Sequence, residues 1–111
     1  MKKEFINQLI TIELDRAKRF DPVWPKDIMD AAGIIVEKNR KLMTACLEVV
    51  HFGGSEKNVR DEIVSIAAMA ERFMLHFPEY YSHFQARDWL AEHLKKEFGK
   101  DPDFKRKEGK D

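Results

Sequence analysis

Residues 25–52 read PKDIMDAAGIIVEKNRKLMTACLEVVHF, and this stretch decides the fold. Ile28, Ala32, Ile35, Asn39, Leu42, Cys46 and Val49 recur at alternating steps of four and three. That spacing places them on one side of an α-helix and forms a coiled-coil-like seam with a single polar member, Asn39. Pro25 suits a first helical position, where an N–H would find no partner, and Asp27 and Asp30 favour the positive helix start. A helix over 25–52 would be about 40 Å long at ~1.5 Å per residue. This is longer than a small monomer needs and predicts packing against another chain. Gly33 lies inside it, where glycine costs up to ~1 kcal/mol relative to alanine, so a close helix contact is expected there.

On the N-terminal side, Ile6, Leu9, Ile10, Ala17 and Phe20 carry helical spacing over 3–20, and Asp21-Pro22 stops that helix because proline disfavours helical geometry in the residue before it. On the C-terminal side, Gly53-Gly54 ends the long helix and Ser55 is a good N-cap for the next, with Glu56 in its first turn. Val59, Ile63, Ile66, Ala70, Phe73 and Phe77 form an apolar stripe that predicts a helix over 56–77. Ser82 and Gln85 have capping-box spacing, and Ala86, Leu90, Leu94 and Phe98 give an apolar side to a fourth helix over 83–98. From Gly99 to Asp111 the chain is polar and is expected to be frayed or disordered. No segment alternates apolar and polar residues at strand period. The expectation is an all-α helical bundle of four main helices, with residues 1–98 as a single domain, assembled as an oligomer.

Composition excludes several classes. Lys+Arg and Asp+Glu are 20 each, so the formal net charge is zero, which argues against a nucleic-acid coat protein. No apolar run approaches the ~18–20 residues that span a bilayer, and the opening MKKEFINQL lacks a signal-peptide core. Cys46 is the single cysteine, which fits a reducing cytoplasm.

Phosphate-loop, dinucleotide, H-E-x-x-H and C-x-x-C motifs are all missing. Cys46 falls on the apolar seam and reads as a small buried hydrophobe. His51, His76, His83 and His93 are too scattered for a metal site. What remains is a polar stripe. Glu37, Lys38, Lys41 and Glu48 lie off the seam of the long helix, and Asn58, Asp61, Glu62, Ser65 and Arg72 fall at helical steps on the next. If the two helices pair antiparallel across Gly53-Gly54, Glu37 and Glu62 approach each other. Two inward carboxylates on facing helices are the beginning of a magnesium site. The other reading is a solvated face with ordinary pairs such as Glu37 with Lys41.

The stretch from Trp24 to Met74 resembles the all-α nucleoside triphosphate pyrophosphohydrolases, the MazG-like group, and most of all its small members carried by phages and mobile elements. The similar features are Trp24-Pro25, the run Ala31-Ala32-Gly33-Ile34-Ile35-Val36-Glu37, the Gly53-Gly54-Ser55 turn, and Glu62 followed by Ala67-Ala68-Met69-Ala70. The resemblance covers about half the chain. It implies a helical bundle assembled as a homodimer or homotetramer. It also implies a hydrolase in which Mg²⁺, held by an E-E-x-x-E motif and a later E-x-x-D, binds the triphosphate while water attacks. The products are a nucleoside monophosphate and pyrophosphate.

This chain departs from that pattern. Glu37 matches the first acid, but Lys38 and Lys41 stand where the next two are expected. Glu62 matches the later glutamate, but Ser65 holds the aspartate position. Exchanging two acids for two lysines shifts the local charge by four units and repels a cation. The expected metal ligands are therefore Glu37 and Glu62, with Asp61 or Glu48 as substitutes, and Mg²⁺ only if the protein is active. Lys38 and Lys41 are expected to meet phosphates or another anion directly. Three outcomes follow: a nucleotide-binding protein of this fold with reduced or lost hydrolysis, an active pyrophosphohydrolase, or a non-catalytic oligomeric partner protein.

Overall fold

A computed structural model describes residues 1–81 and 85–99. Those residues form four helices and no strand: α1 (Lys3–Phe20), α2 (Ile28–Phe52), α3 (Glu56–Tyr80) and α4 (Ala86–Phe98). The all-α expectation is met. The expected polar tail, apart from Gly99, lies outside the described residues, as do Ser82 and the expected helix start at 83.

Three boundaries differ from expectation for physical reasons. α2 begins at Ile28, not at Pro25, because Asp27 is its cap: the carboxylate accepts the Met29 N–H at 2.7 Å. The Pro25 carbonyl is committed elsewhere, accepting the Tyr80 hydroxyl at 2.7 Å. α3 runs past Phe77 to Tyr80 with Pro78 inside its last turn. The Tyr80 ring packs edge-on against Phe73 at 5.8 Å, so that turn is held by tertiary contacts. α4 begins at Ala86, and its cap residue Gln85 makes no side-chain capping bond.

The turn between α2 and α3 is as expected. Gly53 has φ of 69°, a left-handed conformation that favours glycine, and the Gly54 N–H donates to the Glu48 carbonyl at 2.8 Å. A Cβ on Gly54 would lie 2.8 Å from the Glu48 Cβ, so this position admits no side chain. Ser55 accepts the Lys57 N–H at 3.1 Å and starts α3.

The chain divides into two compact units, Met1–Tyr80 and Tyr81–Asp111. In the first, α1 and α2 each pack on α3, their backbones held apart from each other, and both send side chains into one core. Their core is Leu14, Trp24, Ala31, Ala68 and Met69, ringed by half-buried residues such as Ile10, Ile34, Ile35 and Phe73. Ala31 and Ala68 are fully buried, and such small side chains let neighbouring helices approach closely. Trp24 is the largest core member. Phe73 meets it edge-on at 6.1 Å, His76 stacks on it at 5.7 Å, and the Arg72 guanidinium sits 5.1 Å from its ring centre. Arg72 is only 4% exposed and donates to the Asp21 carbonyl at 2.8 Å. Together Arg72 and Tyr80 tie the 21–27 connection to α3. In the second unit, α4 buries no residue, and Trp89 stacks on His93 at 5.4 Å.

The faces are rotated relative to the expectation. On α3 the buried residues are Ser65, Ala68, Met69 and Arg72, whereas Ile63 and Ala70 from the expected core stripe are exposed. On α2 the buried residues are Ala31 and Ala45, Lys38 is half-buried, and Asn39 is exposed. The other six seam residues, Ile28, Ala32, Ile35, Leu42, Cys46 and Val49, are half-buried, and of the polar stripe on α3 Asn58 and Asp61 are exposed, Glu62 is half-buried, and Ser65 and Arg72 are buried.

Candidate functional site

Because the backbones of α1 and α2 both lean on α3 but stay apart, a groove opens between them with α3 as its floor. Its volume is about 420 Å³. Leu9, Ile12, Glu13 and Arg16 of α1 form one wall, Lys38 and Lys41 of α2 the other, and Arg60, Asp61, Glu62, Val64 and Ser65 of α3 the floor. A smaller depression of about 230 Å³ adjoins it, bounded by Arg40, Lys41, Thr44, Ala45, Glu48, Asn58 and Glu62. Lys41 and Glu62 belong to both.

The antiparallel α2–α3 pairing thus brings Lys38, Lys41, Glu62 and Ser65 together. Glu37 lines neither depression. It is exposed and forms an ion pair with Arg40, whose Nε donates to its Oε1 at 3.2 Å. That hydrogen bond, with the charges of Arg40, Lys41 and Lys38, holds the Glu37 carboxyl below its ordinary range, and burial works the other way. The two substitute acids are separated, Asp61 in the larger groove and Glu48 in the smaller.

Four cations and three carboxylates line the larger groove: Arg16, Lys38, Lys41 and Arg60 against Glu13, Asp61 and Glu62. Most are paired locally. Arg16 grips Glu13 through two bonds of 2.9 and 2.6 Å. Asp61 accepts from Lys57 at 2.9 Å and from Arg60 at 3.0 Å, and these bonds, the Lys57 one foremost, lower its carboxyl pKa. Among the described residues Lys38, Lys41 and Glu62 make no ion pair. Two ammonium groups therefore face one carboxylate in the groove.

A magnesium ion needs several oxygen donors with little positive charge nearby. The groove offers Glu62 between two lysines, and no group of three or more His, Cys, Asp or Glu among the described residues is arranged to hold a metal. The donor set present does not fit Mg²⁺. Ser65, 7% exposed, sits on the floor and contributes a hydroxyl. Sequence reading missed the α1 wall entirely. Leu9 looked like an ordinary stripe position, and Glu13 and Arg16 carried no signal beyond an i, i+3 pair.

Compared with protein-family models, with curated proteins and with solved structures, the chain matches none. Among the described residues no helix is long and apolar enough to cross a membrane.

Proposed function

We propose that the groove between α1, α2 and α3 binds the phosphate groups of a nucleoside triphosphate, or another small polyanion. In this reading the protein is a MazG-like pyrophosphohydrolase-fold protein whose Mg²⁺-dependent hydrolysis is reduced or lost, acting as a homodimer or homotetramer in the cytoplasm. One observation carries it: Lys38 and Lys41 line a groove whose other cations are already neutralised by Glu13 and Asp61. Unpaired ammonium groups in a partly enclosed groove lower the energy of an anion there, because surrounding protein screens them less than water does. Arg60, held by Asp61, stands ready as a further donor on the floor.

Titration calorimetry with inorganic pyrophosphate and with the common nucleoside triphosphates, each with and without Mg²⁺, tests this. Binding that weakens at least ~10-fold in Lys38→Ala/Lys41→Ala, a loss of about 1.4 kcal/mol, supports the anion site. Turnover to nucleoside monophosphate and pyrophosphate at about 1 per second or faster would establish an active enzyme instead. Absence of both binding and turnover would leave the non-catalytic partner protein.

A further inference from the structure

A second hollow, about 410 Å³ in volume, adjoins the groove and shares Leu9, Arg60 and Val64 with it. Its lining is of the opposite kind. Ile6, Leu9, Val59, Ile63 and Val64 present hydrocarbon, and its charged side chains are Glu56 and Arg60. Ile6 and Ile63 belong to the apolar stripes of their helices, yet they are 39% and 51% exposed. The core does not use them, and they meet at this hollow instead. A cleft of this size, mostly apolar with a few polar groups, is the kind that takes a small molecule.

We propose that the groove and the hollow form one site for an amphiphilic phosphate ester. Its anionic head lies among Lys38, Lys41 and Arg60, and its hydrocarbon body lies against Ile6, Leu9, Val59, Ile63 and Val64. This rests on the anion-binding reading of the groove and adds the body of the ligand to it. Arg60 stands at the junction. Its guanidinium is engaged with Asp61 of the groove at 3.0 Å, and its side chain also lines the hollow. An arginine stem covers apolar surface while its head stays in polar surroundings, so Arg60 marks where head gives way to tail.

The hollow suits hydrocarbon better than a nucleobase. The edge of a base carries N–H and C=O groups that lose water on entry and must be paired again. The side chains that could pair them here are Glu56 and Arg60, and Arg60 already has Asp61. The polar depression beside Lys41 offers Thr44, Asn58 and Glu48, but its 230 Å³ falls below the ~300 Å³ at which small-molecule clefts begin. At roughly 30 Å³ per heavy atom, a water molecule's share of the liquid, 410 Å³ accommodates about ten carbons. A fully buried methylene gains up to about fourfold in affinity, and in a hollow whose walls stay half exposed about twofold per carbon is expected.

Calorimetric titration of the full chain tests this with ethyl, butyl, hexyl and octyl phosphate, each below its micelle concentration. Inorganic pyrophosphate, 1-octanol and adenosine monophosphate complete the set. Affinity should rise with chain length, by at least ~10-fold from ethyl to octyl phosphate. Octyl phosphate should bind more tightly than adenosine monophosphate, whose head is the same. Ile63→Gln, with native helicity by circular dichroism, should remove most of the gain from chain length and leave pyrophosphate binding unchanged. Lys38→Ala/Lys41→Ala should weaken every phosphate and leave the ratio of octyl to ethyl phosphate as it was. Equal affinity for ethyl and octyl phosphate, with pyrophosphate bound, would overturn the hydrocarbon body and keep the anion groove. Octanol bound as tightly as octyl phosphate, with pyrophosphate unbound, would overturn the anion groove and with it the joint site. A chain-length gain that survives Ile63→Gln would put the tail elsewhere and overturn the assignment.

Discussion

The two long sides of α2 behave as opposites. On one side Lys38, Lys41 and Glu48 look into depressions shared with α3, and on the other Met29, Val36, Met43 and Val50 stand exposed. α3 repeats the contrast. Its buried residues include Ser65 and Arg72, while Ile63 and Ala70 are exposed. Apolar periodicity marks a side that wants cover without saying which chain supplies it. Polar spacing marks a side tolerant of water without saying whether that side becomes a groove. α2 and α3 meet where residues are small, at Ala31, Ala45, Ser65 and Ala68, because close approach gains more contact than bulky side chains held apart.

The sharpest contrast to break is inner against outer. Trp24 is 6% exposed at the centre of the core, so Trp24→Ala should cost about 3–5 kcal/mol in urea unfolding followed by circular dichroism. In so small a core this approaches the whole stability of the unit. Met43→Ala, on the exposed side of α2, should change unfolding of the dilute monomer by less than ~0.5 kcal/mol. If both variants lose similar amounts at every protein concentration, the division between the sides of α2 and the core is wrong.

Arg72 gives the next effect, and it asks what a polar residue does on a buried side. Its guanidinium has one hydrogen bond to the Asp21 carbonyl and one aromatic face, no carboxylate among the described residues, and a buried Nε without a hydrogen-bond partner. A charged hydrogen bond contributes about 1.5–3 kcal/mol, and a desolvated cation–π contact up to about 2. Arg72→Ala should therefore destabilise by about 2–3 kcal/mol after the relief of charge burial is set against these losses. Arg72→Met keeps the apolar stem over Trp24 and should lose less. A thermal melt in which Arg72→Met exceeds the parent would show that burying the charge outweighs the tie to the 21–27 connection.

Much of the fold was legible because its signals are local. The stop at Asp21-Pro22, the left-handed Gly53 and the Ser55 start all depend on neighbours in the chain. The errors came from contacts across the chain. The Pro25 carbonyl is taken by Tyr80, 55 residues away, so the helix start moves to Asp27, and the same contact carries α3 past Phe77. Of the candidate site, sequence brought Lys38, Lys41 and Glu62 into one neighbourhood, because helical spacing and a tight turn imply an antiparallel pair. It did not separate Glu37 from them, since an i, i+3 pairing with Arg40 and an i, i+4 pairing with Lys41 look equally good on paper. The α1 wall was invisible, because which side of α3 receives α1 is a tertiary fact.

The groove side can be converted in charge to sharpen the same comparison. Lys38→Glu, Lys41→Glu and Ser65→Asp together place three new carboxylates beside Glu62, all within the larger groove. The variant should gain at least ~10-fold in Mg²⁺ affinity over the parent, about 1.4 kcal/mol, read by calorimetry. Metal binding should appear without turnover, since ligands alone do not orient water or supply supporting hydrogen bonds. A folded triple variant with unchanged Mg²⁺ affinity would mean that these side chains do not converge in the groove. Mass by sedimentation should stay as in the parent, because the exposed side of α2 is untouched.

The smallest effect is acid-dependent. Glu37 and Asp61 both have carboxyl pKa values lowered in the folded chain, Glu37 by its hydrogen bond to Arg40 and Asp61 by its bonds to Lys57 and Arg60. A folded pKa below the unfolded one means the stabilisation is fully present above the unfolded values, ~3.9 for Asp and ~4.3 for Glu, and disappears as pH falls through the folded values. Both groups are exposed, so the fall in melting temperature below about pH 5 should be slight and should shrink further near 1 M salt, where the Debye length is ~3 Å. The informative readout is the groove. Protonating Asp61 removes a negative charge from its floor and releases Arg60, so sulfate, whose charge is constant over this range, should bind more tightly as pH falls through the Asp61 pKa. Asp61→Asn should already bind sulfate more tightly than the parent at neutral pH.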